Sequence, residues 1–150
     1  MRHGEAGHGW PDRERELTSH GHEEARRMAD WVARQPSDGV RLYASPYRRA
    51  RQTAAHLAAA LGAEPVESPL ITPDDSPSEV CDWLLGEGAG PPVILVSHMP
   101  LVGLLTGLLV DGRSDHGLAF PTAAIAELES EVWAAGCARL LRFTTPSDIR

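Results

Sequence analysis

The sequence contains no lysine, and all 14 of its basic residues are arginine. The absence of lysine excludes enzymes that form a Schiff base through a lysine side chain, and it excludes the lysine-dependent P-loop of nucleotide-binding proteins. Anions must instead be held by arginine, whose planar guanidinium group makes paired hydrogen bonds to a phosphate. The net charge of −7 argues against binding to nucleic acid or to an anionic membrane, because both need a basic surface.

Cysteine and long apolar segments are also scarce. The two cysteines, Cys81 and Cys137, are too few for a disulfide framework. The longest apolar runs, residues 93–96 and 104–110, are far shorter than a membrane span. The first five residues lack the apolar region of a secretory signal. We therefore predict a soluble protein of the reducing cytoplasm, with no membrane partner.

The helices of a single domain can be predicted from spacing and capping residues. No repeat, low-complexity tract or interdomain linker divides the 150 residues. Apolar residues at helical spacing predict a helix over residues 19–34, capped by Thr18. A second helix is predicted from Pro46 to Gly62, with Ser45 as its N-cap. A third follows a predicted capping box formed by residues 76–79, and a fourth begins near Pro100.

Strands alternate with these helices. Residues 40–44 and 93–97 are predicted strands, and the second is an unbroken apolar run typical of a strand covered on both faces. Residues 122–128 and 138–144 are spaced like a hairpin. This order predicts the α/β class, as a three-layer sandwich with a mostly parallel central sheet and a ligand site at the carboxyl ends of its strands.

Arginine and histidine recur where predicted strands meet predicted helices. Arg48 and Arg49 fall in the first turn of a predicted helix, where free N–H groups and the helix dipole favour an anion. His98 directly follows a buried strand. Two arginines, two imidazoles and a helix N-terminus around one crevice predict phosphoryl chemistry. The junctions are Arg2-His3-Gly4, Ser45-Pro46-Tyr47-Arg48-Arg49 and Ser97-His98-Met99-Pro100.

These motifs resemble the histidine phosphatase superfamily, which is phosphoglycerate mutase-like, and most of all its small SixA-type phosphohistidine phosphatases. The likeness extends along the whole chain and keeps the order of the family's motifs. It rests on Arg2-His3-Gly4-Glu5, Leu17-Thr18 with Gly21, Ser45-Pro46-x-x-Arg49-Ala50-x-Gln52-Thr53, and Val96-Ser97-His98-x-Pro100-Leu101-Val102.

The resemblance implies a fold, an activity and a set of site residues. It implies the histidine phosphatase fold and a hydrolase that needs no cofactor and no metal. His3 would be the nucleophile, Arg2 and Arg49 would hold the phosphate, and His98 would be the second imidazole. Arg15 and Gly4 are further expected substrate-binding residues. The implied partners are phosphate and a phosphotransfer protein that carries phosphohistidine.

One departure from the family concerns the acid that protonates the leaving group. Other members carry a Leu-x-Glu segment, whereas the counterpart here is Leu70-Ile71-Thr72. An alkoxide leaving group needs such an acid, but imidazole leaves as a neutral base, so phosphohistidine is favoured over a sugar phosphate. Glu5, Asp74, Asp75 and Glu79 are possible substitutes. A small-molecule phosphomonoesterase of the same fold and a non-catalytic anion-binding domain stay open as alternatives.

A second departure lies at the front of the sequence. Only Met1 precedes Arg2, whereas family members usually place several apolar residues there as the central first strand. We therefore predict a truncated first strand and a mobile, positively charged chain end beside the phosphate pocket. We also predict that about four to six apolar residues encoded upstream belong to the native protein.

The tryptophans and the remaining arginines of the second helix have simpler interpretations. Arg48 and Arg51 are predicted to be surface charges, because a helix turns only one of its neighbouring arginines toward a given site. The tryptophans are scattered along the chain, which favours packing roles over a stacking platform. They are Trp10, Trp31, Trp83 and Trp133.

Overall fold

The computed structural model describes residues 1–149. Its strands form two separate sheets, and helices lie between the strands along the chain. The parallel sheet has the order β2-β1-β3, and β4 and β5 pair as an antiparallel hairpin. No helix within the described residues is both long and apolar enough to cross a lipid bilayer. The strands are β1 (Arg41–Ala44), β2 (Pro65–Glu67), β3 (Val93–Val96), β4 (Ile125–Glu129) and β5 (Arg139–Thr144). The α-helices are α1 (Ser19–Ala33), α2 (Arg48–Leu61), α3 (Pro77–Glu87) and α4 (Leu101–Asp111), and 3-10 helices span Asp12–Glu14 and Pro146–Asp148.

The parallel sheet is covered by helices on both faces. Leu42 of β1 and Val96 of β3 belong to the apolar cluster that includes Met28 of α1 and Leu57 of α2. Their strand neighbours point the other way, and Leu95 packs against a second cluster built from α3 and α4. This arrangement confirms the predicted sandwich and the coverage of residues 93–97 on both faces.

The helix ends agree with the sequence signals in most places. Thr18 caps α1, because its side-chain oxygen accepts a hydrogen bond from the Gly21 N–H at 3.0 Å. Gly62 ends α2 with a left-handed φ of 64°. The predicted start of α2 is wrong: Tyr47 has an extended backbone and is the N-cap, so the helix begins at Arg48. The capping box of α3 is also wrong, since the Ser76 side chain makes no capping hydrogen bond there.

The first three residues form a short strand segment between β3 and the residues that precede β4. Arg2 forms a parallel bridge with Ser97. The backbone bonds are Met1 N–H to Leu95 O, Ser97 N–H to Met1 O, His3 N–H to Ser97 O, Arg2 N–H to Ala124 O and Ala123 N–H to His3 O. Met1 is only 8% exposed, and burial lowers the pKa of its amino group to about 5. The predicted mobile, charged chain end is therefore wrong.

Beyond the Met1 amino group, the space between β3 and β4 is a groove of about 640 Å³. Its walls include Val93 and Ile94 of β3 and Ala126 and Leu128 of β4. Within residues 1–149 these two strands are not hydrogen-bonded to each other. Among residues 1–149, the short segment that carries His3 is what joins β3 to the residues before β4. The predicted upstream residues stay a prediction.

Candidate active site

The structure brings Arg2, His3, Arg49 and His98 together at the carboxyl ends of the strands. His3 ends the first strand segment, His98 follows β3, and Arg49 lies in the first turn of α2. The ring centroids of His3 and His98 are 5.0 Å apart, and the Arg49 Nε is 3.3 Å from the His3 Nε2. His3, His98 and Arg49 are each less than a tenth exposed. Parallel strands explain this meeting, because their carboxyl ends share one edge of the sheet.

The His3 imidazole is held in the form that a nucleophile needs. Its Nδ1 lies 2.7 Å from the Gly4 carbonyl oxygen, and because a carbonyl can only accept, Nδ1 carries the proton. The lone pair is therefore on Nε2. The pKa of His3 is lowered to about 4, mainly by burial; the Gly4 hydrogen bond opposes this shift, and the charges of Arg49 and Arg2 add to it. The ring is thus neutral at pH 7.

His98 is oriented by Ser45. The Ser45 hydroxyl oxygen accepts a hydrogen bond from the Tyr47 N–H at 3.2 Å and lies 2.7 Å from the His98 Nε2. When the hydroxyl donates to Nε2, the ring proton is on Nδ1. Burial, His3 and Arg49 lower the pKa of His98 to about 3. The neutral ring, with its N–H donor, is therefore favoured over the imidazolium.

Two buried nitrogen atoms at the site have no hydrogen-bond partner among residues 1–149. They are the Arg2 Nε and the His98 Nδ1. Arg2 is otherwise fixed by a 2.8 Å hydrogen bond from its Nη1 to the Phe120 carbonyl oxygen. Buried polar groups without partners are rare in folded proteins. The Arg2 Nε is an N–H donor, and so is the His98 Nδ1 when the Ser45 hydroxyl donates to the other ring nitrogen. A bound oxyanion would satisfy them.

Arg49 is the buried arginine of its helix turn. Its Nη1 donates to the Asp12 carbonyl oxygen at 2.7 Å, and its Nη2 lies 3.2 Å from the Asp12 carboxylate. Arg48 and Arg51 are nearly half exposed and pair with surface glutamates, as the sequence predicts. The helix therefore turns one guanidinium group inward, within reach of the His3 Nε2.

Arg15 lies next to this cluster rather than within it. Its Nε donates to the Gly7 carbonyl oxygen at 2.8 Å, and its Nη1 donates to the Asp12 carboxylate at 2.9 Å. Its charge contributes to the low pKa of His3. Asp12 links Arg15 to Arg49. Sequence reasoning missed it because no sequence signal distinguishes it from the neighbouring acidic residues. Hydrogen bonds from Arg15 and Arg49 lower the Asp12 pKa, so this carboxylate is ionised at neutral pH.

Gly4 has no free backbone group for a substrate. Its N–H donates to the Thr53 hydroxyl at 3.0 Å, and its carbonyl accepts from His3. A Cβ added at Gly4 would come within 2.5 Å of the Gly21 carbonyl oxygen. The expected role of Gly4 in binding substrate does not match this geometry. Gly4 instead allows close packing against α1 and fixes the His3 tautomer.

The carboxylates considered as general acids are engaged elsewhere or exposed. Glu5 accepts a hydrogen bond from the Thr18 hydroxyl at 2.7 Å. Asp75 accepts from the backbone and hydroxyl of Thr72 at 2.7 and 2.6 Å. Asp74 and Glu79 are exposed. Within residues 1–149, no three His, Cys, Asp or Glu side chains are grouped closely enough to hold a metal ion.

Comparisons with known proteins show which family the chain is similar to. The model of the histidine phosphatase superfamily (branch 1) matches residues 1–72. The phosphohistidine phosphatase SixA of Escherichia coli strain K12 is 34% identical over 136 residues, which cover 85% of this chain and 81% of that protein. A SixA homolog of Haemophilus influenzae is 33% identical over 85% of this chain and 84% of its own. The structure of the protein histidine phosphatase SixA complexed with tungstate aligns with a TM-score of 0.86 and 32% identity, covering 99% of this chain and 96% of that one. This chain belongs to the histidine phosphatase superfamily.

Proposed function

We propose that the protein is a phosphatase that removes the phosphoryl group from phosphohistidine on a phosphotransfer protein, with His3 as its nucleophile. The observation that carries this proposal is the state of His3. Its neutral ring presents an Nε2 lone pair, while Arg49, the Arg2 Nε and the His98 Nδ1 surround it with donors. A buried nucleophile among preorganised donors is the arrangement that phosphoryl transfer requires.

In the first step, the His3 Nε2 attacks the phosphorus atom of the substrate. The new bond joins Nε2 to phosphorus, and the bond from phosphorus to the substrate nitrogen breaks. Arg2, Arg49 and His98 donate hydrogen bonds to the phosphoryl oxygens, whose charge is spread out in the transition state. The substrate imidazole leaves with the electron pair of the broken bond, and it is neutral when its other nitrogen carries a proton.

In the second step, water attacks the same phosphorus atom and the bond to Nε2 breaks. The Gly4 carbonyl keeps the His3 proton on Nδ1 throughout, so His3 leaves as a neutral imidazole without gaining a proton. Inorganic phosphate forms, and the proton lost by the water goes to solvent. Splitting hydrolysis into two displacements lowers the barrier of each.

The choice of substrate rests on the leaving group. Asp12 is the carboxylate in contact with Arg49, and its lowered pKa makes it a poor proton donor. An ionised carboxylate at this place suits an imidazole leaving group better than an alkoxide, for which general acid catalysis supplies ~10²–10⁴-fold. The names of the relatives, phosphohistidine phosphatases, support the same substrate class. The cytoplasmic location expected from the sequence stays a prediction.

The test compares two substrates with equal phosphate chemistry but different leaving groups. A phosphotransfer protein phosphorylated on histidine and a phosphoserine peptide are each incubated with the wild type and with His3→Ala. We expect rapid release of phosphate from phosphohistidine, slow release from phosphoserine, and no release by His3→Ala.

Two other outcomes would overturn the proposal. Faster release from the ester would favour a small-molecule phosphomonoesterase of the same fold. Phosphate binding without turnover of either substrate would favour a non-catalytic anion-binding domain. Because both outcomes concern the wild type, neither depends on how well the variant folds.

A further inference from the structure

Trp10 is the most exposed large apolar side chain of the described residues. It is 90% exposed, whereas the other large apolar residues at the surface are aliphatic and at most 53% exposed. The prediction of a packing role is therefore wrong for Trp10. A packing role is confirmed for Trp83, whose ring meets the Tyr43 ring edge to face with 4.8 Å between the ring centroids. Tryptophan is usually well buried, so a side chain that is 90% exposed indicates a contact surface for another molecule.

The loop that carries Trp10 is fixed on both sides. Its neck closes where the Gly7 N–H donates to the Glu16 carbonyl oxygen at 2.9 Å, next to the Ala6–Leu17 bridge. Within the loop, Arg15 bonds to Gly7 and to Asp12. The indole is thus presented to solvent by an ordered support, and little conformational entropy remains to be lost when a partner binds it.

The same loop forms part of the rim of the active site. Asp12, two residues after Trp10, accepts hydrogen bonds from Arg49 through its carbonyl and its carboxylate. Arg49 in turn lies 3.3 Å from the His3 Nε2. Two residues span at most about 7 Å of chain, so the Cα atom of Trp10 lies within about 7 Å of the Cα atom of Asp12, which holds Arg49. A protein that delivers a side chain to His3 must approach past this rim.

We propose that Trp10 is a docking contact for the protein that carries the phosphohistidine. This inference rests on the proposed function and names the surface that would select a protein over a small phosphorylated molecule. The partner would present an apolar patch beside its phosphohistidine, because the exposed indole is a large apolar group at this rim. Tryptophan is enriched among the few residues that carry most of the binding energy of protein interfaces.

The test measures kcat/KM of Trp10→Ala on a phosphohistidine-bearing protein and on phosphoramidate, which has the same phosphorus–nitrogen bond without a protein attached. We expect a loss of about 30-fold on the protein, through a higher KM, and no change on phosphoramidate. Trp10→Phe should restore much of the protein activity. The matched control is Leu85→Ala, which removes an exposed apolar side chain from α3, 49% exposed and outside the site. Melting temperatures report whether each variant is folded.

The possible outcomes separate this inference from the proposed function. Equal kcat/KM for the wild type and Trp10→Ala on the phosphoprotein would overturn the docking role, and so would equal losses on both substrates. A wild type that acts on phosphoramidate but on no phosphoprotein would overturn docking and leave the phosphatase chemistry standing. A wild type that acts on neither would overturn the proposed function, and the docking role with it.

Discussion

Replacing Arg49 by lysine keeps the positive charge but removes the planar guanidinium group, which contacts the His3 ring, the Asp12 carbonyl and the Asp12 carboxylate at once. Arg49 directs its Nε toward His3 and both Nη atoms toward Asp12. A lysine ammonium is a single point of contact on a flexible chain, so it cannot place two donors on a phosphoryl group while it stays anchored on Asp12. Loss of one preorganised donor at a site of developing charge costs about 10²–10³-fold in kcat, equivalent to about 2.7–4 kcal/mol.

The assay is kcat and kcat/KM on a phosphohistidine protein, with the melting temperature as the measure of folding. We expect kcat of Arg49→Lys to be about 10²–10³-fold lower than that of the wild type. Arg48→Lys is the matched control, because Arg48 is the preceding residue of the same helix and its side chain is 45% exposed, against 5% for Arg49. Arg48→Lys should leave the rate unchanged. If Arg49→Lys retains most of the wild-type rate, the proposed clamp geometry is wrong.

Four other expectations follow from the same structure. Folded His3 accepts a proton only near pH 4, whereas unfolded histidine does so near 6.5, so His3 should contribute about 3 kcal/mol to the fall in unfolding free energy as the pH drops between these values. Urea unfolding of His3→Asn should show a smaller fall, and an equal fall would refute the low pKa. Ser45→Ala should lower kcat about tenfold with KM unchanged, since it frees the His98 tautomer, and an unaltered kcat would refute this orienting role. EDTA should leave activity unchanged while vanadate or high phosphate inhibits, and loss on chelation restored by a divalent metal would contradict the proposed chemistry. Adding about four to six apolar residues before Met1 should fill the groove between β3 and β4 and raise both the melting temperature and kcat. If the extended and the given chain have equal melting temperatures and equal kcat, the sheet needs no such strand.

The fold was predictable from the sequence because its signals are local and agree with each other. Thr18 and Gly62 mark helix ends through backbone geometry, and the apolar run of β3 requires cover on both faces. The start of α2 was misplaced because Ser45 has two uses. Its oxygen accepts a hydrogen bond from the Tyr47 N–H at 3.2 Å, as a cap would, but Tyr47 keeps an extended backbone and the same oxygen also lies 2.7 Å from the His98 Nε2. Such competition depends on a residue far along the chain, which local patterns cannot reveal.

The site was predictable where its residues lie at the ends of strands, and less so elsewhere. His3, Arg49 and His98 meet because parallel strands end on one edge. Asp12 could not be predicted because it reaches the site from a loop whose path no periodicity describes. The burial of the chain end is hidden from local patterns for a similar reason. The burial of Met1 depends on backbone partners in β3, and its position in the sequence suggests only exposure.

The central claim is that His3 carries the phosphoryl group during turnover. The most direct measurement is to mix the protein with a phosphotransfer protein labelled on histidine, quench in alkali, and map the label after digestion with trypsin. Phosphorus bound to nitrogen survives alkali and is lost in acid. We predict an acid-labile label on the peptide of residues 3–13, absent from His3→Ala. Label on the peptide that contains His98, or steady turnover with no label at His3, would contradict the account.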